Sequence, residues 1–344
     1  MRVVILGVTG ASGRAVATEF ADAGWEVVGA ARERRWFPQA LTDRGVRFVG
    51  ADRHDPQAIR GLLDAGADLV VDCLCYSAQH ARELIDHRQG LGQIVMLSSK
   101  AVYVDDRGNH SNSAVSPDFG GPVSERQRVL EPDFSGDYRS RLGYGTNKVA
   151  AELTLLESGL PVSVLRPSLI HGPGARQPRE WFVLRRLLDG RARLPLAHRG
   201  ETINHPTAAA NLARLVMTCA LAPAQRILNI ADPDAPTAAE IVSAIADAYG
   251  ATLEVAGLDH DAPADLGRSP WAIWPAFTLD TSAASALGYA PVGTYAELVA
   301  STVAYLRGLS SDERDGLGLE RTQDYELDEA GLRYADQRPE SFSS

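Results

Sequence analysis

Only two of the 344 residues are lysines, Lys100 and Lys148, although the chain holds 32 arginines. No basic run exists and the formal net charge is −10. This argues against nucleic acid as the main partner, because neutralising phosphates requires a basic face. No uninterrupted apolar stretch approaches the roughly 20 residues of a membrane-spanning helix, so no membrane partner is expected. The apolar start Val3-Val4-Ile5-Leu6 meets Gly7 too early for the core of a secretory signal, which reads as a cytoplasmic protein. Cysteine is scarce too: Cys73, Cys75 and Cys219 make an odd set that fits a reducing compartment. Alternation along the apolar run 68–75 puts Cys73 and Cys75 on one face of a buried strand, as small core side chains. The spacing of His171, His198 and His205 matches no ligand pattern, so no metal is expected. Internal repeats are absent.

What is present is alternation. Residues 2–6 read as a strand, followed by a glycine turn and a helix through Ala23. Further strands are expected at 26–31, 46–49, 69–74, 93–97, 161–165 and 226–230, with helices at 56–63, from about Ala78, from near Tyr144, and at 237–249 capped by Thr237. Strands alternating with helices imply βαβ units and a parallel sheet. Their near-continuous aliphatic character fits strands covered on both faces. The expected fold is therefore α/β, a doubly wound parallel Rossmann sheet with a smaller C-terminal substrate-binding lobe. The expected boundaries are 1–168 for the dinucleotide domain, 169–309 for the lobe, and 310–344 for an acidic polar tail, solvated or loosely docked.

Gly7-Val8-Thr9-Gly10-Ala11-Ser12-Gly13 stands between the first strand and the first helix. There Gly7 serves the tight turn, Gly10 the approach of a pyrophosphate, and Gly13 the packing of helix on strand. The helix start, with Thr9, Ala11 and Ser12, faces the phosphates with free N–H groups. At the end of the second strand, where an acid would hold a ribose 2′-hydroxyl, stands Ala31, and Arg32 follows it. An arginine can fork onto a 2′-phosphate, so NADP(H) is expected over NAD(H). In the alternative, Glu33 does the NAD-type work and the arginines form a solvated turn. Asp52 is placed to reach the adenine edge.

One of the two lysines follows a tyrosine by four residues, in Tyr144-Gly145-Thr146-Asn147-Lys148. On a helix these share a face, so both side chains are expected in one cleft. A tyrosine titrates near ~10, and a nearby ammonium lowers that value toward useful acid–base work. Ser98 and Ser99 fall at the carboxyl end of the fifth strand, where ligands collect in parallel sheets.

These features together resemble an extended short-chain dehydrogenase/reductase, of the NAD-dependent epimerase/dehydratase type, over roughly residues 1–307. The glycine turn, Ser98-Ser99-Lys100-Ala101-Val102-Tyr103, Tyr144-x-x-x-Lys148, Leu165-Arg166-Pro167-Ser168 through Gly174, and Asn204-His205-Pro206 match in order. The resemblance implies Tyr144 as acid/base, Lys148 as its electrostatic and ribose-binding partner, and Ser99 as the hydroxyl on the substrate oxygen. It implies Pro167 and Ser168 beside the nicotinamide, and Arg176 and Arg179 at the nucleotide phosphates of the substrate. His205, before Pro206, reads as a structural turn residue that could also touch substrate. The family's dehydratases carry Asp-Glu where this chain has Lys100-Ala101, so dehydration is not expected. The expected activity is an NADP(H)-dependent reductase or dehydrogenase on a sugar-like or nucleotide-sugar-like carbonyl or hydroxyl. An epimerase with tightly held cofactor, or a catalytically silent NAD(P)-sensing protein, stays open. By analogy a homodimer forms through the tyrosine-bearing helix. The long polar segment 104–143 reads as a lid or substrate-binding excursion.

Overall fold

The computed structural model describes residues 1–320 and 325–338. Seven strands form the central sheet: β1 (Arg2–Leu6), β2 (Glu26–Ala31), β3 (Arg47–Gly50), β4 (Ala67–Asp72), β5 (Leu91–Leu97), β6 (Val162–Pro167) and β7 (Arg226–Ile230). Their order is β7-β6-β5-β4-β1-β2-β3 and every pairing is parallel. The chain builds outward from β1 to β3, then crosses back to lay β4 on the other side of β1. That reversal opens a crevice at the carboxyl ends of β1 and β4, the place where open α/β sheets bind ligands.

Helices cover both faces. Helix α1 (Ala11–Asp22) and the helix Ala209–Leu221 bury Val3, Ile5, Leu69 and Val71. On the other face α2 (Pro56–Leu63), α3 (Ala78–Ile85) and α4 (Gly143–Leu156) bury Val4, Leu6, Val70 and Ile94. Alternate residues of each strand thus serve opposite layers, which explains the unbroken aliphatic runs.

The cysteines depart from expectation. β4 ends at Asp72, so strand alternation no longer governs Cys73 and Cys75. Cys73 packs toward the α1 layer and Cys75 toward the opposite one. Burial pushes the Cys75 thiol up to about 12 and the Cys73 thiol higher, so both stay protonated. Among the described residues no group of three His, Cys, Asp or Glu side chains forms a metal site. None of the described helices is long and apolar enough to cross a membrane.

Beyond β6 the chain makes a lobe with its own core, from helices Trp181–Leu188, Ala238–Tyr249 and Tyr295–Gly308 and the parallel pair Arg193–Leu196 and Glu254–Gly257. Thr237 caps Ala238–Tyr249 in a capping box with Glu240. The acidic tail is more ordered than its composition suggests, although residues 321–324 and 339–344 lie outside the described ones. Helix Glu326–Gln337 lies on the strand Arg193–Leu196. Arg186 grips Asp328 through two hydrogen bonds, 2.7 and 2.9 Å, and Arg193 pairs with Asp336. The tail's acids find their partners in lobe arginines, which the tail's own composition does not reveal.

Candidate active site

A cleft of about 960 Å³ opens at the carboxyl edge of the sheet, with Gly10, Ser99, Tyr144, Pro167 and Ser168 among its walls. A side cavity of about 330 Å³ runs toward β2, past Thr9, Ala31, Arg32 and Asp52. Both share Gly7, Gly10, Leu74 and Tyr76, so one ligand can span them.

The glycine turn joins the two. Gly7 has φ +92, a left-handed value that favours glycine, and its N–H donates to the Ala30 carbonyl at 2.9 Å. A Cβ at Gly13 would lie 2.3 Å from the Gly7 carbonyl oxygen and 2.7 Å from Val8 Cα, so only glycine lets α1 sit this close to β1. A Cβ at Gly10 would meet nothing nearer than that same oxygen at 3.6 Å. Its site faces the cleft. No side chain caps α1, and Ala11, Ser12 and Gly13 line the cavity, leaving the helix N-terminus for an anion. Ser168 also lines the cleft, its hydroxyl buried with no hydrogen-bond partner among the described residues. An open anion site, a glycine with room above it, and an orphaned hydroxyl on a residue of the same cleft wall fit a nicotinamide dinucleotide.

Helix α4 brings Tyr144 to Ser99. A Cβ at Gly145 would fall 2.6 Å from the Ala101 carbonyl, so this glycine lets the helix press on the turn that follows β5. Further along α4, buried Glu152 accepts two hydrogen bonds from Arg166 of β6, 3.0 and 2.5 Å, and one from the Ser98 hydroxyl. The two adjacent serines therefore divide. Ser98 is buried and committed to Glu152, while half-buried Ser99 stays on the cleft wall, accepting from the Ala101 N–H at 3.1 Å with its own proton free. Glu152→Gln is expected to destabilise the fold by about 3–5 kcal/mol, because it leaves the buried Arg166 charge without a carboxylate. Denaturant unfolding checks this; a loss under about 1 kcal/mol would show the pair to be dispensable.

Lys148 does not reach the cleft wall as expected. It is buried, donating to the carbonyls of Cys75 at 2.8 Å and Leu97 at 2.7 Å, 4.4 Å from the Tyr76 ring centroid. The carbonyls of Cys75, past the end of β4, and of Leu97, the last residue of β5, hold the ammonium against the Tyr76 ring. Tyr76 is a wall residue that sequence reasoning missed. It stacks on Tyr138 of the 104–143 segment, centroids 5.3 Å apart, and leans on Tyr144 at 6.3 Å. The segment carries no long helix or strand, but is pinned. The Asp105 carboxylate accepts backbone N–H groups of Arg107, Asn109 and Asp118, and residues 111–114, 116 and 117 line the cleft.

His80 packs beneath this aromatic group, its Nδ1 accepting from the Tyr76 N–H at 3.1 Å. Burial, and secondly the Arg53 charge, lower it to about 4 from 6.5. Its folded-state value is the lower one, so the unfolded chain binds the extra proton between these values. Stability should fall as pH drops from about 6.5 to about 4. In thermal melts His80→Gln should flatten that part of the dependence; an unchanged slope would contradict the assignment.

Lys100 was also missed, being read only as a lost dehydratase acid. It is a buried wall residue whose ammonium donates to Asn204 Oδ1 and lies 4.1 Å from the Phe277 ring centroid. Burial, then the nearby Arg179, lower it to about 7. Arg176 and Arg179 both line the cleft, Arg176 at 4.6 Å over Trp36. His205 is not brought to it. Its Nε2 meets the Asp232 carbonyl at 2.8 Å and its Nδ1 accepts from the Leu279 N–H at 3.1 Å, so both nitrogens are used in holding the lobe.

The model of the NAD dependent epimerase/dehydratase family matches residues 3–231. No curated protein sequence matches the chain. Among solved structures, the UDP-glucuronic acid 4-epimerase of Bacillus cereus in complex with UDP-glucuronic acid and NAD has a TM-score of 0.64 at 17% identity, over 90% of this chain and 100% of that one. The UDP-N-acetylglucosamine 4-epimerase of the same organism gives 0.65 at 18%, over 90% and 98%. The dTDP-glucose 4,6-dehydratase of Bacillus anthracis in complex with NAD gives 0.68 at 13%, over 92% and 99%. At these identities the likeness establishes the shared fold.

Proposed function

This chain belongs to the NAD-dependent epimerase/dehydratase family, a family of enzymes, and from that premise we propose that it is an NADP(H)-dependent oxidoreductase acting on a nucleotide-sugar-like carbonyl or hydroxyl. The observation that carries the reading is the convergence of Ser99, Tyr144 and the orphaned Ser168 hydroxyl on one cleft with the glycine turn. The nicotinamide, when bound, supplies the hydride acceptor or donor. Tyr144 moves the proton on the substrate oxygen, and Ser99 donates a hydrogen bond to that oxygen. Sugar phosphates suit the arginines of the cleft wall.

Three facts support NADP over the NAD named in the solved relatives. Ala31 leaves room at the end of β2; Glu33 is taken by Arg35 at 2.6 Å; and exposed Arg32 stands on the side cavity close enough to Arg176 to repel it. Arg32 and Arg176 share that rim with Glu33 and Asp52, and their two guanidiniums suit a 2′-phosphate. Arg32→Ala should weaken NADP binding about tenfold and leave NAD binding unaltered. A wild-type titration favouring NAD would overturn this preference.

The reaction type is tested by stoichiometry. One reduced cofactor consumed per sugar converted supports net redox, whereas turnover with the cofactor retained would make the protein an epimerase. We also place it as a homodimer through α4, which starts directly after Leu142, 65% exposed, and carries Leu153, 38% exposed; sedimentation tests this. The three free cysteines are consistent with the cytoplasm.

A further inference from the structure

The cleft's lining carries an unusual charge balance. Lys100, Arg141, Arg176, Arg179 and Arg268 line it, and among the described residues no aspartate or glutamate does, in a protein of net charge −10. Arg141 and Arg268 are exposed at the mouth. Lys100 is different: it is buried and next to Ser99 in the chain, at the reacting end.

Its ammonium has three protons. One goes to Asn204 Oδ1, the Phe277 face takes a second side, and among the described residues no carboxylate neutralises it. The Arg179 guanidinium, close enough to push on Lys100, makes no hydrogen bond or ion pair with any described residue. Its neighbour Glu180 acts on it electrostatically but forms no ion pair with it, accepting instead from the Tyr295 hydroxyl at 3.4 Å. Two adjacent cations, one buried, repel each other and are costly to keep charged without an anion. Glu180 only partly offsets Arg179 and no described carboxylate pairs with Lys100, so the balancing charge at this wall comes with the ligand.

We propose that Lys100 and Arg179 form a carboxylate-binding subsite at the reacting end of the cleft, and that the sugar bound there is an acidic one, a uronate, rather than a neutral hexose. This rests on the nucleotide-sugar reading above and narrows it. The adjacency of Lys100 to Ser99 assigns the subsite to the sugar ring, leaving the mouth arginines for the diphosphate. The lowered affinity of Lys100 for its proton has the same origin, burial beside a second cation, and a bound carboxylate reverses it.

The test is calorimetric titration of UDP-glucuronic acid and UDP-glucose into protein saturated with oxidised dinucleotide, for wild type, Lys100→Met and Arg179→Met. Wild type should bind the acid about tenfold or more tightly, the worth of one charge-assisted hydrogen bond. Either variant should bring the ratio of the two affinities close to one. Equal wild-type affinities overturn the subsite. So does an equal loss for both sugars in both variants, which would assign the cations to the diphosphate. An unchanged ratio with turnover lost in Lys100→Met would make Lys100 a proton-transfer group instead. In these cases the oxidoreductase reading survives. If neither sugar binds while the dinucleotide does, the nucleotide-sugar reading falls and the subsite with it.

Discussion

Tyr144→Phe is expected to lower kcat by about 10²–10⁴-fold, the range for removing a positioned acid–base group, with little change in dinucleotide affinity or thermal midpoint. The split follows from the structure. The phenol makes no hydrogen bond with any described residue, and its ring contact with Tyr76 survives in phenylalanine. Nothing in the fold depends on the hydroxyl. Steady-state kinetics together with a cofactor titration measure both halves. A kcat within tenfold of wild type would remove Tyr144 from the chemistry. Ser99→Ala should follow with a smaller loss, since it deletes one hydrogen bond and no proton carrier.

The second large effect separates two glycines of one turn. Gly13→Ala forces a methyl group against the backbone of Gly7 and Val8, at 2.3 and 2.7 Å, where no flexible side chain can yield. Such overpacking costs on the order of 3 kcal/mol, and α1 must move away from β1. Gly10→Ala meets only ordinary contact at 3.6 Å, so stability should stay within about 0.5 kcal/mol. Its methyl enters the cleft where the pyrophosphate approaches, and dinucleotide affinity should fall about tenfold or more. Unfolding curves and cofactor titrations on the two variants should therefore give opposite patterns. Equal destabilisation would mean the turn is tight throughout and not shaped for a ligand.

Much of this was legible before any coordinates. The strand runs, the glycine turn and the capped helix at Thr237 are local patterns, and they reappear within a few residues of their expected bounds. Tyr144 and Ser99 both line the cleft, each set by its own local pattern at a helix start or past a strand end, whereas Lys148, one helix turn from Tyr144, does not. The failures come from contacts far apart in the chain. Tyr76, Lys100 and Asn204 meet the site across about 70 to 100 residues, and the tail helix docks through partners some 140 residues away. His205 takes the structural of its two expected roles, its ring consumed by two backbone groups and not turned to substrate. For Lys100 a signal did exist. A lysine beside the reactive serine, in a chain with only two, is chemically informative, and reading it solely as a missing acid overlooked what the ammonium itself can bind.

The central claim is that one cleft holds a nicotinamide dinucleotide with its reacting end at Tyr144 and Ser99. A crystal structure with NADP bound tests it most directly. The pyrophosphate should lie over Gly10–Ser12, the 2′-phosphate should meet Arg32, and the nicotinamide amide should satisfy the Ser168 hydroxyl with its ring beside Tyr144. A dinucleotide bound elsewhere, or with its nicotinamide turned away from Tyr144 and Ser99, would contradict it.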